Sequence, residues 1–419
     1  MSGGWRDARG YPRVVVTGMG VVSCLGNGRA ALLDALRSGR SGLRAMPSYA
    51  ERGLACQVGG PVNLDGLPEP PRKLRRFIAP PGLYAWHAVN EAIEQAGLSL
   101  DDLQSDDCGL VLGGGAALSE HEAGLEALRA KGIAKLSPFW VPRGMSSAPS
   151  ASVALAFGMR GVTATLSSAC TSAALAIGHA MELIQLGKQQ MMLCGGAEEL
   201  HDSTTTWFDA MRALSIGSNE QPTRASRPYD LERDGFVLAA GAGLLVLESL
   251  EHAQSRGATI LAELTGYGAC TDAHDMVGPR TDGIARAIRL ALDQAGTLPD
   301  YINTHACSTP SGDLQEWQAI QSVYAERAAP VPPMSSIKGQ SGHAPGASGA
   351  LDAIASLLMM EHEFLAAGSP VVTPDPAFAE APLLRETRAQ RIDSVLSSSF
   401  GFGGSCAALM FRRSRGEAT

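Results

Sequence analysis

The chain has 419 residues, of which 45% are hydrophobic and 18% charged, a balance typical of a globular protein with more than one core. Its net charge of −8, without a long run of lysine and arginine, argues against general nucleic-acid binding. No apolar run is long enough to span a bilayer and the N-terminus has no signal-peptide pattern, so we expect a cytoplasmic protein that does not bind membranes.

Strand-like and helix-like segments alternate along the chain. Short apolar runs predict buried strands at 13–18, 108–115, 190–199, 241–249, 260–268, 301–306 and 331–338, with two more in the closing segments RIDSVLSSSF and CAALMFRR. Helical periodicity predicts helices at 28–39, 83–97, 171–184, 281–296, 311–327 and 347–362. This alternation is typical of layered α/β folds, in which helices cover buried strands.

Two segments of the chain resemble each other faintly. LSSACTSAALAIGHAMELI and SGHAPGASGALDAIASLLMM both run from small residues into an alanine-rich helix. The first carries Cys170 near its start, and the second carries His343. This repeat predicts two related halves, 1–255 and 256–419.

The eight cysteines are scattered and form no CxxC pair, so neither a zinc knuckle nor a dithiol redox motif is indicated. Cys170 lies where small residues give way to a predicted helix. The unpaired amides and positive dipole end of a helix N-terminus favour a thiolate, and a thiolate is a nucleophile. A small buried residue is the alternative interpretation, and it is the more common one for a cysteine.

Two histidines lie at the ends or edges of predicted elements. His305 is near the end of strand 301–306, and His343 precedes helix 347–362. A lone loop histidine is usually a surface residue, but two of them with a cysteine suit thioester chemistry. The thiol would attack, and the imidazoles would donate hydrogen bonds or move protons. Composition also allows a cysteine protease, but the usual sequence around its cysteine is missing.

Four ordered segments carry a resemblance to a known family. SSACTSA, NTHACSTPSGD, SSIKGQSGHAPGASG and SFGFGGSCA resemble the active-site segments of β-ketoacyl-acyl-carrier-protein synthases, nearest to the synthase I branch. The similarity runs from about Arg13 to Arg412. It implies a thiolase-type αβαβα fold of five layers, built from two βαβαβαββ halves, and a homodimer. It also implies acyl carrier protein as the partner, substrates carried on its phosphopantetheine, and neither a metal nor a diffusible cofactor.

The resemblance assigns roles to individual residues. Cys170 matches the nucleophile that accepts an acyl group as a thioester, and His305 and His343 match the pair that promotes malonyl decarboxylation. The amides of Cys170 and Phe402 match the oxyanion hole, and Phe402 also matches a gating loop. Further matches are the substrate-binding residues Cys307, Thr309, Phe400, Gly403 and Cys406, an ion pair of Lys338 with Glu316, and Asp313 beside it.

Two positions depart from the family pattern. Cys307 and Cys406 replace a threonine and an asparagine that the family usually has there. We expect both on loops that close over the cavity of Cys170, as free, buried thiols that tune substrate choice. A thiol is a weak hydrogen-bonding group, so each change weakens polar contact with substrate.

An acidic carrier protein needs a local basic patch on a protein of net charge −8. Ordinary solvation explains any one surface cation equally well. The candidate docking residues are Lys73, Arg76, Arg129, Lys131 and Lys135.

The function favoured by these patterns is decarboxylative Claisen condensation in fatty-acid elongation. A ketosynthase of an aryl-polyene or polyketide pathway, which could pair with a ketosynthase-like partner, is an alternative. A non-catalytic chain-length factor is disfavoured, because such proteins lack the nucleophile that Cys170 supplies.

Overall fold

The computed structural model describes residues 4–368 and 371–414. The first residues of the predicted half 1–255 and the last residues of the half 256–419 therefore lie outside the described residues. Its strands are β1 Val14–Ser23, β2 Gly26–Asn27, β3 Arg44–Ala45, β4 Val58–Gly59, β5 Cys108–Gly113, β6 Thr163–Leu166, β7 Met191–Glu198, β8 Gly241–Ser249, β9 Ala262–Thr271, β10 Tyr301–Asn303, β11 Met334–Ser335, β12 Phe364–Leu365, β13 Arg388–Ala389, β14 Ser394–Gly401 and β15 Ser405–Arg413. Most of the long strands are buried along their length, in agreement with the apolar runs that predict them.

Helices separate these strands along the chain. They are α1 Arg29–Ser38, α2 Pro47–Glu51, α3 Arg72–Arg75, α4 Pro80–Ala96, α5 Leu100–Leu103, α6 Leu118–Lys131, α7 Trp140–Gly144, α8 Ala148–Phe157, α9 Ser172–Gln185, α10 Asp202–Ala210, α11 Leu250–Ser255, α12 Thr281–Ala295, α13 Pro310–Glu326, α14 Lys338–Ser341 and α15 Ser348–Glu361. Proline opens α4 and α13, where its missing amide proton costs no helical hydrogen bond. Gly97 and Gly296 end α4 and α12 in the left-handed conformation that glycine adopts without strain.

One mixed sheet organises the molecule, in the order β11-β10-β14-β15-β9-β1-β8-β7-β5-β6. Strands that precede residue 255 lie on one side of the β1–β9 junction, and later strands lie on the other. The division into 1–255 and 256–419 stays a prediction.

The helices form three layers: a central pair that contacts both parts of the sheet, and one pair over the outer face of each part. Helices α9 and α15 pack against each other and against strands from both sides, and they share the largest hydrophobic cluster. Helix α4 with α8 covers one outer face, and α12 with α13 covers the other. The layered α/β class predicted from the sequence is confirmed. Among the described helices, none combines the length and the apolar content that crossing a bilayer requires.

Candidate active site

The loop between β6 and α9 is built from small residues. Ala169 has a φ of +47°, a left-handed conformation that turns the chain sharply before the helix. Ser172 Oγ donates to the Ala169 carbonyl at 2.6 Å and accepts the Ser168 amide at 2.8 Å. Thr171 Oγ1 donates to the Ser168 carbonyl at 2.7 Å. These bonds fix a tight turn that presents Cys170 just before α9.

Burial governs the ionisation of Cys170. It raises the pKa of the thiol to about 12, although the charge of Lys338 lowers that pKa part of the way and Glu198 raises it again. The positive end of the α9 dipole acts in the same direction as Lys338. The expectation of a resting thiolate was therefore wrong, because loss of water around the sulfur outweighs the helix end.

Two histidines face Cys170 across one cavity. The Cys170 sulfur and one ring nitrogen from each of His305 and His343 lie within 4.8 Å of one another. The two rings meet edge to face, with centroids 5.2 Å apart and planes at 88°. Sulfur and imidazole at this spacing would also suit zinc, so the expectation of no metal stays a prediction.

Backbone amides fix the position of His305 after β10. The amides of His305 and Ala306 donate to the two carboxylate oxygens of Glu316, each at 2.8 Å. Phe400 packs against the imidazole with ring centroids 5.3 Å apart. The ring is therefore held between the start of α13 and the end of β14.

A different set of contacts holds His343 between α14 and α15. Its amide donates to the Val237 carbonyl at 2.8 Å. Its Nδ1 lies 3.0 Å from Ser348 Oγ, which already accepts the Ala344 amide at 3.0 Å. The Ser348 proton is therefore free for Nδ1, and that arrangement leaves the ring proton on Nε2. Within the described residues, Nε2 is buried and has no hydrogen-bond partner.

Burial keeps both imidazoles neutral at physiological pH. It lowers the pKa of His343 to about 3 and that of His305 well below its usual value, and the charge of Lys338 adds to both effects. Neutral imidazole carries one N–H donor and one acceptor nitrogen. The pair can therefore present two donors to a substrate oxygen without carrying charge.

The ion pair made by Lys338 differs from the expected one. Lys338 Nζ contacts Asp352 on α15 at 2.6 Å, and both side chains are fully buried. Glu316, the predicted partner, instead accepts hydrogen bonds from the amides of His305 and Ala306. It also accepts one from the Ser398 hydroxyl at 2.7 Å. Burial raises the pKa of Glu316 to about 7 despite these contacts. The buried Lys338 ammonium at the start of α14 requires a buried carboxylate, and Asp352 of α15 supplies it.

Asp313 holds the loop that leads from β10 into α13. Its carboxyl accepts the amides of Thr309 and Tyr229 at 3.3 and 3.2 Å. Burial raises its pKa to about 6, and the Arg233 guanidinium 3.8 Å away lowers it in part. Asp313 therefore shapes the cavity wall from behind and does not face the cavity.

The glycine loop after β14 passes close to the nucleophile. A Cβ placed on Gly401 would lie 3.0 Å from the Cys170 amide nitrogen, so a larger residue there would press on the turn that presents Cys170. The Phe402 ring packs against that of Phe208 of α10, with ring centroids 6.0 Å apart and planes inclined at 48°. The amide of Gly403 donates to the Met276 carbonyl at 2.7 Å, which joins this loop to the loop after β9.

A cavity of about 100 Å³ opens onto Cys170. Its wall contains Cys307 and Thr309, whose side chains lie 3.9 Å apart. Gly403 does not line it. The lining residues, mostly apolar, are Cys170, Phe208, Phe236, Val277, Pro279, His305, Ala306, Cys307, Thr309, Gly312, Glu316, His343, Pro345, Phe400, Gly401 and Phe402.

The predicted position of Cys406 was wrong. Cys406 lies in β15 and not in the glycine loop, directly opposite Cys270 of β9, and its side chain packs into the core between the sheet and α12. It is absent from the cavity wall. β15 begins at Ser405, directly after Gly404, so Cys406 belongs to the strand.

The predicted docking residues are all exposed. Arg76 stacks on Phe77 at 4.9 Å and on Phe139 at 5.4 Å, so the segment around α3 meets the segment after α6. Phe139 lies four residues after Lys135, so this contact connects the segment of Lys73 and Arg76 to the end of the segment that carries Arg129, Lys131 and Lys135.

Sequence reasoning missed three contributors to the site. Phe208 and Phe236 form an edge-to-face pair at 5.3 Å on the cavity wall. Asp352 lies within an otherwise apolar helical pattern, and a charged residue at a core position was the signal that could have revealed it. No comparable signal marks the two phenylalanines, because apolar residues are expected anywhere in a core.

Two family models match the chain. They are the Beta-ketoacyl synthase N-terminal domain, over residues 12–253, and the Beta-ketoacyl synthase C-terminal domain, over residues 261–370. Among curated relatives, the 3-oxoacyl-[acyl-carrier-protein] synthase 1 of Haemophilus influenzae is 42% identical over 407 residues, which covers 96% of this chain and 100% of the relative.

Solved structures give the same picture. A beta-ketoacyl synthase from Burkholderia phymatum STM815 superposes with a TM-score of 0.88 at 35% identity, covering 96% of this chain and 100% of that one. A ketosynthase solved with its type II PKS acyl-carrier protein, AntDE:AntF, superposes with a TM-score of 0.86 at 31% identity and the same coverage. The thiolase-type fold implied by the sequence resemblance is confirmed.

Proposed function

The chain belongs to the β-ketoacyl synthase family, and we propose that it joins an acyl group held on Cys170 to a malonyl group on acyl carrier protein, releasing CO₂, in fatty-acid elongation. The observation that carries this proposal is the group of Cys170, His305 and His343, whose reactive atoms lie within 4.8 Å of one another. A nucleophile and two neutral imidazoles in one apolar cavity are what acyl transfer followed by decarboxylation requires.

In the first step, Cys170 takes the acyl group from the carrier. Its sulfur attacks the thioester carbonyl, and the carrier thiol leaves. Because the pKa of Cys170 is about 12, the proton departs as the sulfur attacks, and an imidazole at this spacing is positioned to take it and deliver it to the leaving sulfur. The amides of Cys170 and Phe402 stabilise the oxyanion of the tetrahedral intermediate.

In the second step, malonyl-carrier loses CO₂. The bond to the carboxylate carbon breaks, and its electron pair becomes an enolate on the thioester. Nε2–H of His343 and an N–H of His305 donate to the enolate oxygen, and neutral donors in an apolar cavity stabilise developing charge well. The enolate carbon then attacks the acyl-Cys170 carbonyl, and the cysteine sulfur leaves and takes one proton, supplied by water, to become a thiol again. Atoms and electrons balance without a redox or metal cofactor, and phosphopantetheine carries both substrates.

Acyl carrier protein is the partner that this reaction requires. The exposed cations around α3, in the last turn of α6 and just after it supply a positive surface on a protein of net charge −8. An acidic carrier would be attracted to that surface by long-range electrostatics. The eight cysteines are all free thiols, which a reducing cytoplasm maintains, and we assign the enzyme to that compartment.

A homodimer is the assembly that the sheet edge favours. β6 ends the sheet and pairs with β5 alone among the described strands, so its other edge is free to pair. Val162 and Leu155 beside it are exposed apolar side chains, 41% and 63% accessible. Light scattering that gives twice the chain mass supports the homodimer. A monomer mass, or a stable complex only with a co-expressed ketosynthase-like chain, contradicts it.

The proposed activity is tested by direct reconstitution. The protein is mixed with an acyl-carrier and malonyl-carrier, and β-ketoacyl-carrier and CO₂ are measured together. Equal amounts of both products from wild type, and neither from Cys170→Ala, support the proposal. Saturated and polyunsaturated acyl-carriers are compared in the same assay. Turnover of the polyunsaturated substrate alone would instead favour the aryl-polyene or polyketide alternative.

A further inference from the structure

Two cysteines that do not line the cavity lie on the strands that lead to its entrance. Cys270 of β9 and Cys406 of β15 are directly opposed in the antiparallel ladder. Directly opposed residues point to the same face of a sheet, and their Cα atoms lie about 4.5–5.5 Å apart. Disulfides join Cα atoms about 4.4–6.8 Å apart, so the backbone already has a spacing that a disulfide accepts.

The two sulfurs have unequal surroundings. Cys270 is half-buried and in its thiol form donates to the Gly283 carbonyl at 3.2 Å, while Cys406 is 1% exposed. Arg286 of α12 donates to the Thr271 carbonyl at 2.6 Å, and its guanidinium also reaches the Cys270 sulfur. A cation and an accessible sulfur on one side, with a buried thiol on the other, are the features of an attacking cysteine and a resolving cysteine.

The electrostatics agree with this assignment. A hydrogen bond from the Cys406 thiol lowers the pKa of Cys270, and Arg286 lowers it further. The same contact raises the pKa of Cys406. Burial raises the pKa of each of the other six cysteines, namely Cys24, Cys56, Cys108, Cys170, Cys194 and Cys307.

We infer that Cys270 and Cys406 form a reversible disulfide by exchange with small-molecule disulfides such as oxidised glutathione. The Cys270 thiolate attacks one sulfur of the reagent and releases the first thiolate, giving a mixed disulfide. Cys406 then loses its proton, attacks the Cys270 sulfur and releases the second thiol. The protein dithiol is oxidised by two electrons, and the reagent disulfide is reduced to two thiols.

The bond would join the roots of the two loops at the cavity entrance. β15 follows the glycine loop that carries Phe402, and β9 leads into the loop that carries Val277 and Pro279 on the cavity wall. These loops are already linked, because the Asp272 amide donates to the Gly404 carbonyl at 2.8 Å. A disulfide two residues away from that bond restrains both loops, and loop opening limits the turnover of many enzymes. Oxidation is therefore expected to slow condensation.

The test treats the reduced full-length protein with oxidised glutathione and maps its peptides by mass spectrometry before and after dithiothreitol. We expect a Cys270–Cys406 cross-link with loss of two hydrogens, reversed by dithiothreitol. It should be absent in Cys270→Ser and present in Cys24→Ser, a control that removes another half-buried thiol. No modification, or glutathione retained on Cys270 as a mixed disulfide, overturns the inference.

Condensation is measured on the same samples. We expect the cross-linked wild type to turn over several-fold more slowly than the reduced protein and to recover with dithiothreitol, while Cys270→Ser stays unaffected by the oxidant. An unchanged rate in fully cross-linked protein overturns the coupling to the entrance loops. The mass result stands independently of the proposed activity, so failure of either claim is distinguishable from failure of the other.

Discussion

Around Cys170, aromatic rings and two imidazoles exclude water, and burial raises the pKa of the thiol to about 12. Around Cys270, a guanidinium and a second thiol approach a half-buried sulfur, and they lower its pKa. The difference shows that a nucleophile for a bound substrate need not be the most ionised thiol of a protein. In the proposed mechanism the Cys170 sulfur loses its proton as it attacks an acyl-carrier, whereas the lowered pKa of Cys270 favours its thiolate without a bound substrate.

The largest effect that separates the two regions concerns the imidazoles. Replacing His305 or His343 with alanine removes one donor to the enolate, and malonyl decarboxylation should fall by about 10²–10³-fold for each variant. Disulfide formation at Cys270 should be unchanged, because neither imidazole takes part in the proposed thiol–disulfide exchange. The measurement is CO₂ release from malonyl-carrier, together with peptide mapping after oxidation.

His179→Ala is the matched control for these variants, since His179 lies on α9 with 42% of its side chain accessible and pairs with Glu182 at 3.7 Å. It should retain wild-type decarboxylation. Wild-type CO₂ release from either active-site variant would remove that imidazole from the mechanism.

The pH dependence sharpens the same comparison. A histidine with a pKa of about 3 stays neutral as pH falls from 8 to 5, so decarboxylation should show no loss with a midpoint at the usual histidine value of about 6.5. Exchange at Cys270 should slow about tenfold for each pH unit below its pKa, because the thiolate is the attacking form.

Glu316 is the cavity-wall group whose pKa, about 7, falls inside this range. The profile is therefore measured in wild type and in Glu316→Gln, which keeps the shape of the side chain without its titration. Burial also raises the pKa of Asp313 to about 6 and that of Glu198 to about 7, so Asp313→Asn and Glu198→Gln are measured as well. A loss of decarboxylation near pH 6.5 that persists in all three variants would contradict neutral, buried imidazoles.

Charge reversal on the basic surface should affect only carrier-borne substrates. The Lys73→Glu, Arg76→Glu double variant should raise KM for acyl-carrier about tenfold, since two exposed cations would meet the acidic carrier as like charges. Small pantetheine thioesters at Cys170 and glutathione disulfide at Cys270 should react as in wild type. Added salt should weaken the wild-type dependence on the carrier.

Lys188→Glu is the control for charge alone, because Lys188 is exposed beyond the C-terminal end of α9. Its KM for acyl-carrier should stay near the wild-type value. Equal losses with pantetheine thioesters would show that the Lys73 and Arg76 changes disturb the cavity and not docking.

The smallest effect is expected at Cys307. Cys307→Thr adds a stronger hydrogen-bonding group to the cavity wall. One neutral hydrogen bond to the pantetheine arm contributes about 0.5–1.5 kcal/mol to binding, or roughly two- to tenfold in affinity. The ratio of kcat/KM between saturated and polyunsaturated acyl-carriers should change in Cys307→Thr and stay constant in Cys24→Thr. An unchanged ratio would mean that the cysteine does not influence substrate choice.

Much of the fold was predictable because its strands are buried along their length. β5, β7 and β8 match the predicted apolar runs to within two residues at each end. Helices α6 to α8 were not predicted. Leu125 and Leu128 of α6 are exposed, so the segment has no apolar stripe, and its one buried residue is Glu120.

The candidate site was predictable where a motif fixes the local backbone, as at Cys170, His305 and His343. It was not predictable where the ionisation or the partner of a side chain depends on how the folded chain buries it. The ionisation of Cys170 depends on how much water the surrounding rings exclude, and the partner of Lys338 depends on which helix crosses it. Cys406 shows the same limit, because its strand pairing with Cys270 joins residues far apart in sequence.

The most direct test of the contrast between the two thiols is mass spectrometry of the protein after brief incubation with an acyl-carrier under reducing conditions. The cavity around Cys170, and not the lower pKa of Cys270, should decide where the acyl group goes. We therefore expect the acyl mass on the peptide containing Cys170 and none on that containing Cys270. Acylation of Cys270, or acylation that persists in Cys170→Ala, would contradict this account.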